Sequence, residues 1–175
     1  MADFRNSIKP VSPTVETPRL RLREFAAGDL DELAAMVADE DQMRFYPRVR
    51  TRDEAAAWLQ RNLALYEEHG YGFWLIESRA GDGFAGYCGI RPLDLQGVAE
   101  TEIGWHIRKA FWNRGFATEA AAGVRDAARA EFGVGRLVAL IHPDHGASRR
   151  VALKIGMREE RTTVFEGEPT VVYVT

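Results

Sequence analysis

The sequence predicts a mixed α/β fold in a single domain, and three observations carry the prediction. Some short segments alternate apolar and polar residues at period two, others repeat apolar residues at helical spacing, and one strand–turn–helix–strand unit near residues 100–141 has the length of a βαβ crossover. A chain of 175 residues, 46% hydrophobic and 28% charged, is long enough to bury one sizeable core.

Each element follows from local chemistry. Pro10, Pro13 and Pro18 lie among polar residues, so residues 1–17 read as a surface leader and residues 18–175 as the domain. Arg19-Leu20-Arg21-Leu22-Arg23 alternates charge and leucine, the pattern of a half-buried strand, and Asp29 opens an amphipathic helix through about Ala38. Thr51 and Glu54 match a capping box for a second helix, with Ala55, Trp58, Leu59, Leu63 and Tyr66 on one face and Gly70 as its stop. Residues 73–77 and 84–90 form a hairpin across Ala-Gly-Asp-Gly, and residues 100–108 form the next strand of this antiparallel meander. A helix from about Ala117 to Phe132 and a continuously apolar strand at 137–141 complete the βαβ unit. A short helix from Ser148 to Ile155, stopped by Gly156, and strands near 158–165 and 170–174 finish the chain. The expected architecture is a mostly antiparallel twisted sheet of about seven strands with one parallel pair, flanked by about four helices.

Composition excludes several classes of function. A net charge of −3 with interspersed signs offers no footprint for a nucleic acid. The single Cys88, in an apolar strand, reads as a buried bystander and allows no internal disulfide. The first residues lack the apolar run of a signal peptide and no stretch of about 18 apolar residues occurs, so a cytoplasmic protein is expected with no membrane contact. Phosphate-loop, dinucleotide and zinc motifs are absent, and His142 and His145 sit in a loop that has another explanation, so no metal is expected.

The informative segment is residues 107–119, where an apolar strand passes through an aromatic turn into a small-residue helix. The first N–H groups of a helix lack internal partners and carry the positive end of its dipole. Gly115 lets the chain approach an anion without a Cβ, Ala117 keeps the entry narrow, and Arg114 adds charge.

The turn Trp112-Asn113-Arg114-Gly115-Phe116-Ala117-Thr118-Glu119-Ala120, followed by Asp144-His145-Gly146-Ala147-Ser148-Arg149-Arg150-Val151 and Lys154-Ile155-Gly156-Met157, resembles a GNAT-fold N-acetyltransferase. Glu16-Thr17-Pro18-Arg19-Leu20-Arg21-Leu22-Arg23 and Glu102-Ile103-Gly104-Trp105 resemble the RimJ/RimL-type branch, and the match spans about residues 16–173. The resemblance implies acetyl-coenzyme A as donor. Trp105, His106 and Ile107 would then offer strand backbone to the pantetheine arm. Asn113, Arg114, Gly115, Phe116, Ala117 and Thr118 would wrap the pyrophosphate. Two positions depart from the pattern: His145 stands where asparagine is common, and Ala152 stands where many members carry a tyrosine general acid. Histidine can still donate one hydrogen bond to the pantetheine. Ser148 becomes the candidate proton donor to the leaving thiolate, with a plain helix-capping role as its alternative.

Acetyl transfer needs a neutral amine. An α-amine with a pKa near 8 is roughly a quarter neutral around pH 7.4, whereas a lysine amine near 10.4 is neutral about one time in a thousand. A lightly equipped site therefore suits an N-terminal α-amine, as in the RimJ/RimL-type branch. Glu102 is the candidate base, directly or through water, with Glu100 second and His106 as a further alternative. A small-molecule amine such as an antibiotic or polyamine is the alternative acceptor, and a cationic lining near Arg44, Arg48 and Arg50 would disfavour the polyamine. A non-catalytic acyl-coenzyme A sensor would keep the turn and lose the chemistry. A surface edge strand is open either to a homodimer or to cover within the monomer.

Overall fold

A computed structural model of the chain describes residues 14–175. One sheet of eight strands runs through it in the spatial order β1-β2-β3-β4-β5-β6-β8-β7. The strands are β1 (Val15–Glu16), β2 (Leu20–Arg23), β3 (Phe73–Ser78), β4 (Gly83–Leu95), β5 (Val98–Ile107), β6 (Val138–Ile141), β7 (Arg158–Phe165) and β8 (Glu168–Val174). Every pairing is antiparallel except β5 with β6. Five α-helices accompany it: α1 (Leu30–Val37), α2 (Glu40–Met43), α3 (Arg52–His69), α4 (Phe116–Phe132) and α5 (Gly146–Lys154).

Eight strands and five helices among the described residues agree with the expected about seven and about four, and the additional strand and helix are both short. Val15 and Glu16 pair with Leu22 and Arg21, so the sheet begins inside the segment read as a leader; residues 1–13 of that segment lie outside the described residues. The four-residue α2 is too short for a hydrophobic period to reveal it. The larger correction is β4, which runs past Ile90 to Leu95 and turns back at Gln96-Gly97, where both residues have positive φ. That extension sets Arg91 directly opposite Glu102.

The sheet lies between two apolar layers. On one face Trp74, Cys88, Ile103 and Ile107 pack against the Ala120, Val124 and Ala128 stripe of α4 and against Val151 and Ala152 of α5. On the other, Phe25, Leu75 and Phe84 meet Leu33 and Met36 of α1 and Ala55 and Leu59 of α3. The capping box of α3 forms as read: Glu54 N–H donates to Thr51 Oγ1 at 3.2 Å, and Thr51 N–H donates to Glu54 Oε2 at 2.9 Å. Gly70 closes the helix at φ 74°.

Asn62 ties α3 to the sheet in a way apolar periodicity does not anticipate. Its side chain is 2% exposed, donates to the Phe73 carbonyl and the Tyr66 hydroxyl at 2.9 Å each, and accepts from Phe73 N–H at 2.8 Å. Truncating it strands the buried Phe73 N–H and leaves the Phe73 carbonyl with the Tyr66 hydroxyl alone. Asn62→Ala is expected to destabilise the fold by about 2–4 kcal/mol, read as a lower urea midpoint with an unchanged slope.

Candidate active site

The site originates where the parallel pair parts. β5 and β6 pair only at Glu102 opposite Val138, after which β6 stays with β8 through Ile141 and β5 stays with β4 through Ile107. The divergence opens a cleft through the sheet with a cavity on each face. One, about 640 Å³, is walled by the entry to α4 and the start of α5; the other, about 600 Å³, lies under α1, α3 and the β7–β8 turn. Phe45, Tyr46 and Trp105 line both, so the two cavities meet at the cleft.

The backbone of β5 sorts itself between ladder and cleft. Arg108 N–H donates to the Ala85 carbonyl at 2.9 Å, and a Cβ on Gly86 would come 2.1 Å from the His106 carbonyl, so these groups face β4. Alternation turns the backbone of Trp105 and Ile107 toward the cleft. Trp112 Nε1–H takes the Ile107 carbonyl at 2.6 Å. The Trp105 indole Nε1 is buried without a hydrogen-bond partner among the described residues. His106 departs from expectation: its backbone belongs to the ladder, and the residue lines the larger cavity only.

The α4 entry is an open cradle. Gly115 is the N-cap at φ 79°, no side chain caps the helix, and the first intrahelical bond runs from Glu119 N–H to the Gly115 carbonyl. The amides of residues 116–118 therefore carry the positive helix end, and Asn113, Gly115, Phe116, Ala117 and Thr118 line the larger cavity. Arg114 is a correction. Its guanidinium lies over the Phe111 ring and 3.8 Å from Asp82, and it does not line the cavity. The cations that do are Arg44, Arg150 and Lys154. Arg19, just ahead of β2, braces the turn, donating to the Arg114 carbonyl at 2.9 Å and to Glu119 at 2.6 Å, while Thr17 donates to Glu119 at 2.6 Å. Burial alone would raise the Glu119 pKa, but the hydrogen bonds from Thr17 and Arg19 and the Arg19 charge hold it below the usual carboxylate range.

Across the cleft, His145 rather than Ser148 caps α5. Its Nδ1 lies 3.5 Å from Ser148 N–H and accepts, which places the ring hydrogen on Nε2. Burial, with Arg44 and His142 nearby, pushes its pKa down to about 4, so the ring is neutral near pH 7. Ser148 is the third residue of α5; it lines the larger cavity, and its hydroxyl has no hydrogen-bond partner among the described residues. The capping alternative for Ser148 is thereby removed. Ala152 is fully buried.

Of the three base candidates, Glu102 alone lines the smaller cavity. Its Oε2 accepts from Arg91 Nε at 2.5 Å, and its side chain is 14% exposed. Glu100 does not reach it: it pairs with Arg136, which also bridges to Glu160, and lines neither cavity. His106 is occupied at both nitrogens. Nε2, 3.1 Å from the Gln42 carbonyl, must donate, so Nδ1 accepts from the Tyr87 hydroxyl at 3.2 Å. Burial pushes its pKa down to about 4, and this neutral, fully bonded ring positions its neighbours rather than acting as a free base.

The segment after α2 bridges the cleft. Phe45 stacks on His145 with centroids 4.1 Å apart, and Tyr46 stacks on His106 at 5.3 Å. Arg44 lies 4.7 Å over the Phe45 ring. Burial, then the Glu102 charge, push the Tyr46 hydroxyl up to about 12. Sequence reasoning missed Phe45, Tyr46, Tyr87 and Arg91 as site residues. An aromatic pair ahead of Pro47 between two helices is the one local signal for the first two, and only the β4–β5 register identifies the others.

The depressed Glu119 pKa means its contribution is complete above the ordinary carboxylate range and drains away as pH falls through the folded-state value. Glu119→Gln is expected to cost about 1 kcal/mol near pH 7, kept small by the half-exposed Arg19 partner, and the difference from the parent should vanish in acid. Thermal unfolding across pH 3–8 checks the sign.

A family model described as an acetyltransferase (GNAT) domain matches residues 19–158. The Bacillus subtilis protein YkkB is 32% identical over 158 residues, covering 90% of this chain and 92% of its own. An acetyltransferase structure from Agrobacterium tumefaciens is 26% identical with a TM-score of 0.83, covering 93% of this chain and 94% of its own. RimL, described as a ribosomal L7/L12 α-N-protein acetyltransferase and solved with coenzyme A, shares the fold at a TM-score of 0.77 and 18% identity, covering 93% of this chain and 97% of its own. The βαβ cleft, its helix-end cradle and these likenesses agree: the chain belongs to the GNAT acetyltransferases, a family of acyl-transferring enzymes.

Proposed function

We propose that the protein moves an acetyl group from acetyl-coenzyme A to the N-terminal α-amine of a protein or peptide by direct attack. The observation that carries this reading is that two cavities, one walled by the open first turn of α4 and the other lined by Glu102, meet at the β5–β6 cleft. The larger has the features a nucleotide-bearing thioester needs: open amides at residues 116–118, a neutral His145 with Nε2–H as donor, and the cleft-facing backbone of Trp105. Arg44, Arg150 and Lys154 add charge for phosphates. Acetyl-coenzyme A supplies an acyl carbon activated by sulfur.

On the acceptor side, the amine nitrogen forms its bond to the acyl carbon while the carbon–sulfur bond breaks. Glu102, with Oε1 free of partners among the described residues, takes the amine proton directly or through water. Ser148, on the opposite wall, donates toward the departing thiolate, which needs little help at a thiol pKa near 8.5. Placing base and donor in different cavities keeps them on opposite sides of the reacting carbon, and proximity supplies much of the rate. RimL's action on a ribosomal-protein α-amine supports the same acceptor class.

Incubation with acetyl-coenzyme A and a panel of N-terminal peptides, lysine peptides and small amines, following free thiol, tests the reading. α-Amine peptides are expected to be the best acceptors. Glu102→Gln should lower kcat about a hundredfold and Ser148→Ala about tenfold, both with coenzyme A affinity retained. Preference for polyamines would overturn the acceptor assignment. Tight coenzyme A binding with no acceptor turned over would make the protein an acyl-coenzyme A sensor, consistent with Ala152 in place of a phenol.

A further inference from the structure

The smaller cavity sorts its lining by depth in a way that names the group beside the reacting amine, on the assumption that acetyl transfer occurs there. Arg50, Arg61, Glu166 and Glu168 line it as exposed residues, so the rim carries charges of both signs in equal number. The half-buried charges are spent within the protein: Arg91 is bound to Glu102, and Glu54 is held by Arg48 and the Thr51 amide. Leu33, Val37, Met43, Ala55 and Phe73 line the same cavity and are all buried. The rim is polar without a net sign, and the deep wall is apolar.

Strand register sets that wall beside the candidate base. Glu102, Gly104 and His106 alternate onto one face of β5, opposite Arg91, Gly89 and Tyr87 of β4. β3 continues the last two rows, with Phe73 opposite Gly89 and Leu75 opposite Tyr87. The row next to the Glu102 and Arg91 pair therefore holds two glycines and a phenyl ring, about 7 Å along β5 from the base. The ring covers the bare strip, for a Cβ on Gly104 would stand 3.0 Å from Phe73 Cε1. Trp58 of α3 meets Phe73 at 5.8 Å and Tyr87 at 5.1 Å between ring centroids, and Phe73 meets Tyr87 at 5.7 Å. The Tyr87 hydroxyl is occupied by His106, which leaves Tyr87 to present its ring. Moving an apolar group from water onto such a wall is favourable, whereas a second charge on the acceptor would lose hydration there beside partners already taken.

We propose that the preferred acceptor is a peptide N-terminus whose first residue carries a large apolar side chain, that of leucine, methionine or phenylalanine. The side chain seats against Phe73, Trp58 and Tyr87 while the α-amine is directed to Glu102. Gly104 is the specificity-determining position, because its missing side chain leaves the floor between base and rings open. The rest of the peptide leaves over the polar rim.

The test compares kcat/KM for peptides identical except for Leu, Met, Phe, Ala, Ser, Asp or Lys at the first residue, with phenylethylamine as a separate arm. Leu, Met and Phe peptides should exceed Ala and Ser peptides by about tenfold or more, and Asp and Lys peptides by a wider margin. Gly104→Ala, which crowds the Phe73 ring, and Trp58→Ala, which removes part of the wall, should each lower the leucine-to-alanine ratio. Equal rates across the peptides, faster Ser, Asp or Lys peptides, or a ratio untouched by both variants would overturn the assignment. Phenylethylamine faster than every peptide would assign the rings to a small aromatic amine and overturn the peptide assignment. Titration of the coenzyme A-loaded parent protein with the Leu and Ala peptides, read by tryptophan fluorescence, decides the point without turnover and without the variants. Failure of all acceptors to release thiol would count against acetyl transfer, while tighter binding of the Leu peptide would still support the ring assignment and equal binding would overturn it.

Discussion

Two parallel strands that hydrogen-bond at one residue pair and then separate are the constraint behind the functional architecture. A strand edge inside a sheet must find partners for its N–H and carbonyl groups. β6 finds them on β8, while β5 beyond Glu102 keeps only β4. The same divergence exposes the first turn of α4 to the cleft, because that helix begins after β5 ends. A strand edge and a helix end, both short of partners, thus converge on one space.

The cleft is held open and shaped by contacts from sequence-distant segments. Arg19, just ahead of β2, braces the α4 entry through Glu119, while the segment after α2 crosses the opening by stacking Phe45 on His145 and Tyr46 on His106. Both histidines are neutral near pH 7: burial outweighs the Gln42 hydrogen bond at His106, and burial with Arg44 and His142 nearby acts at His145. Neutrality lets each ring donate at one nitrogen and accept at the other, so each fixes the orientation of a neighbour. His145 fixes the start of α5, and His106 fixes the Tyr87 hydroxyl beside the smaller cavity.

Much of this was legible in the chain. The capping box at Thr51, the stop at Gly70, the α4 helix to Phe132 and the cradle at Gly115 all come from local backbone rules, so local residues suffice to read them. The misreadings share a different cause. Arg114 has the right charge in the right turn, but Phe111 and Asp82 draw it away. Glu100 points to the same face as Glu102 by alternation, yet Arg136 draws it away from both cavities. For Ser148, read as a proton donor with helix capping as its alternative, the cap position belongs to His145.

The sequence by itself determined the fold class, the order of elements and the open helix start at Gly115. Each depends on periodicity, capping or glycine conformations set within a few residues. Tertiary structure alone decided which charged side chains remain unspent, which histidine nitrogens carry hydrogen, and that Tyr46 joins both cavities. Those properties depend on partners tens of residues away, and a side chain's chemistry in a site is what its partners leave free.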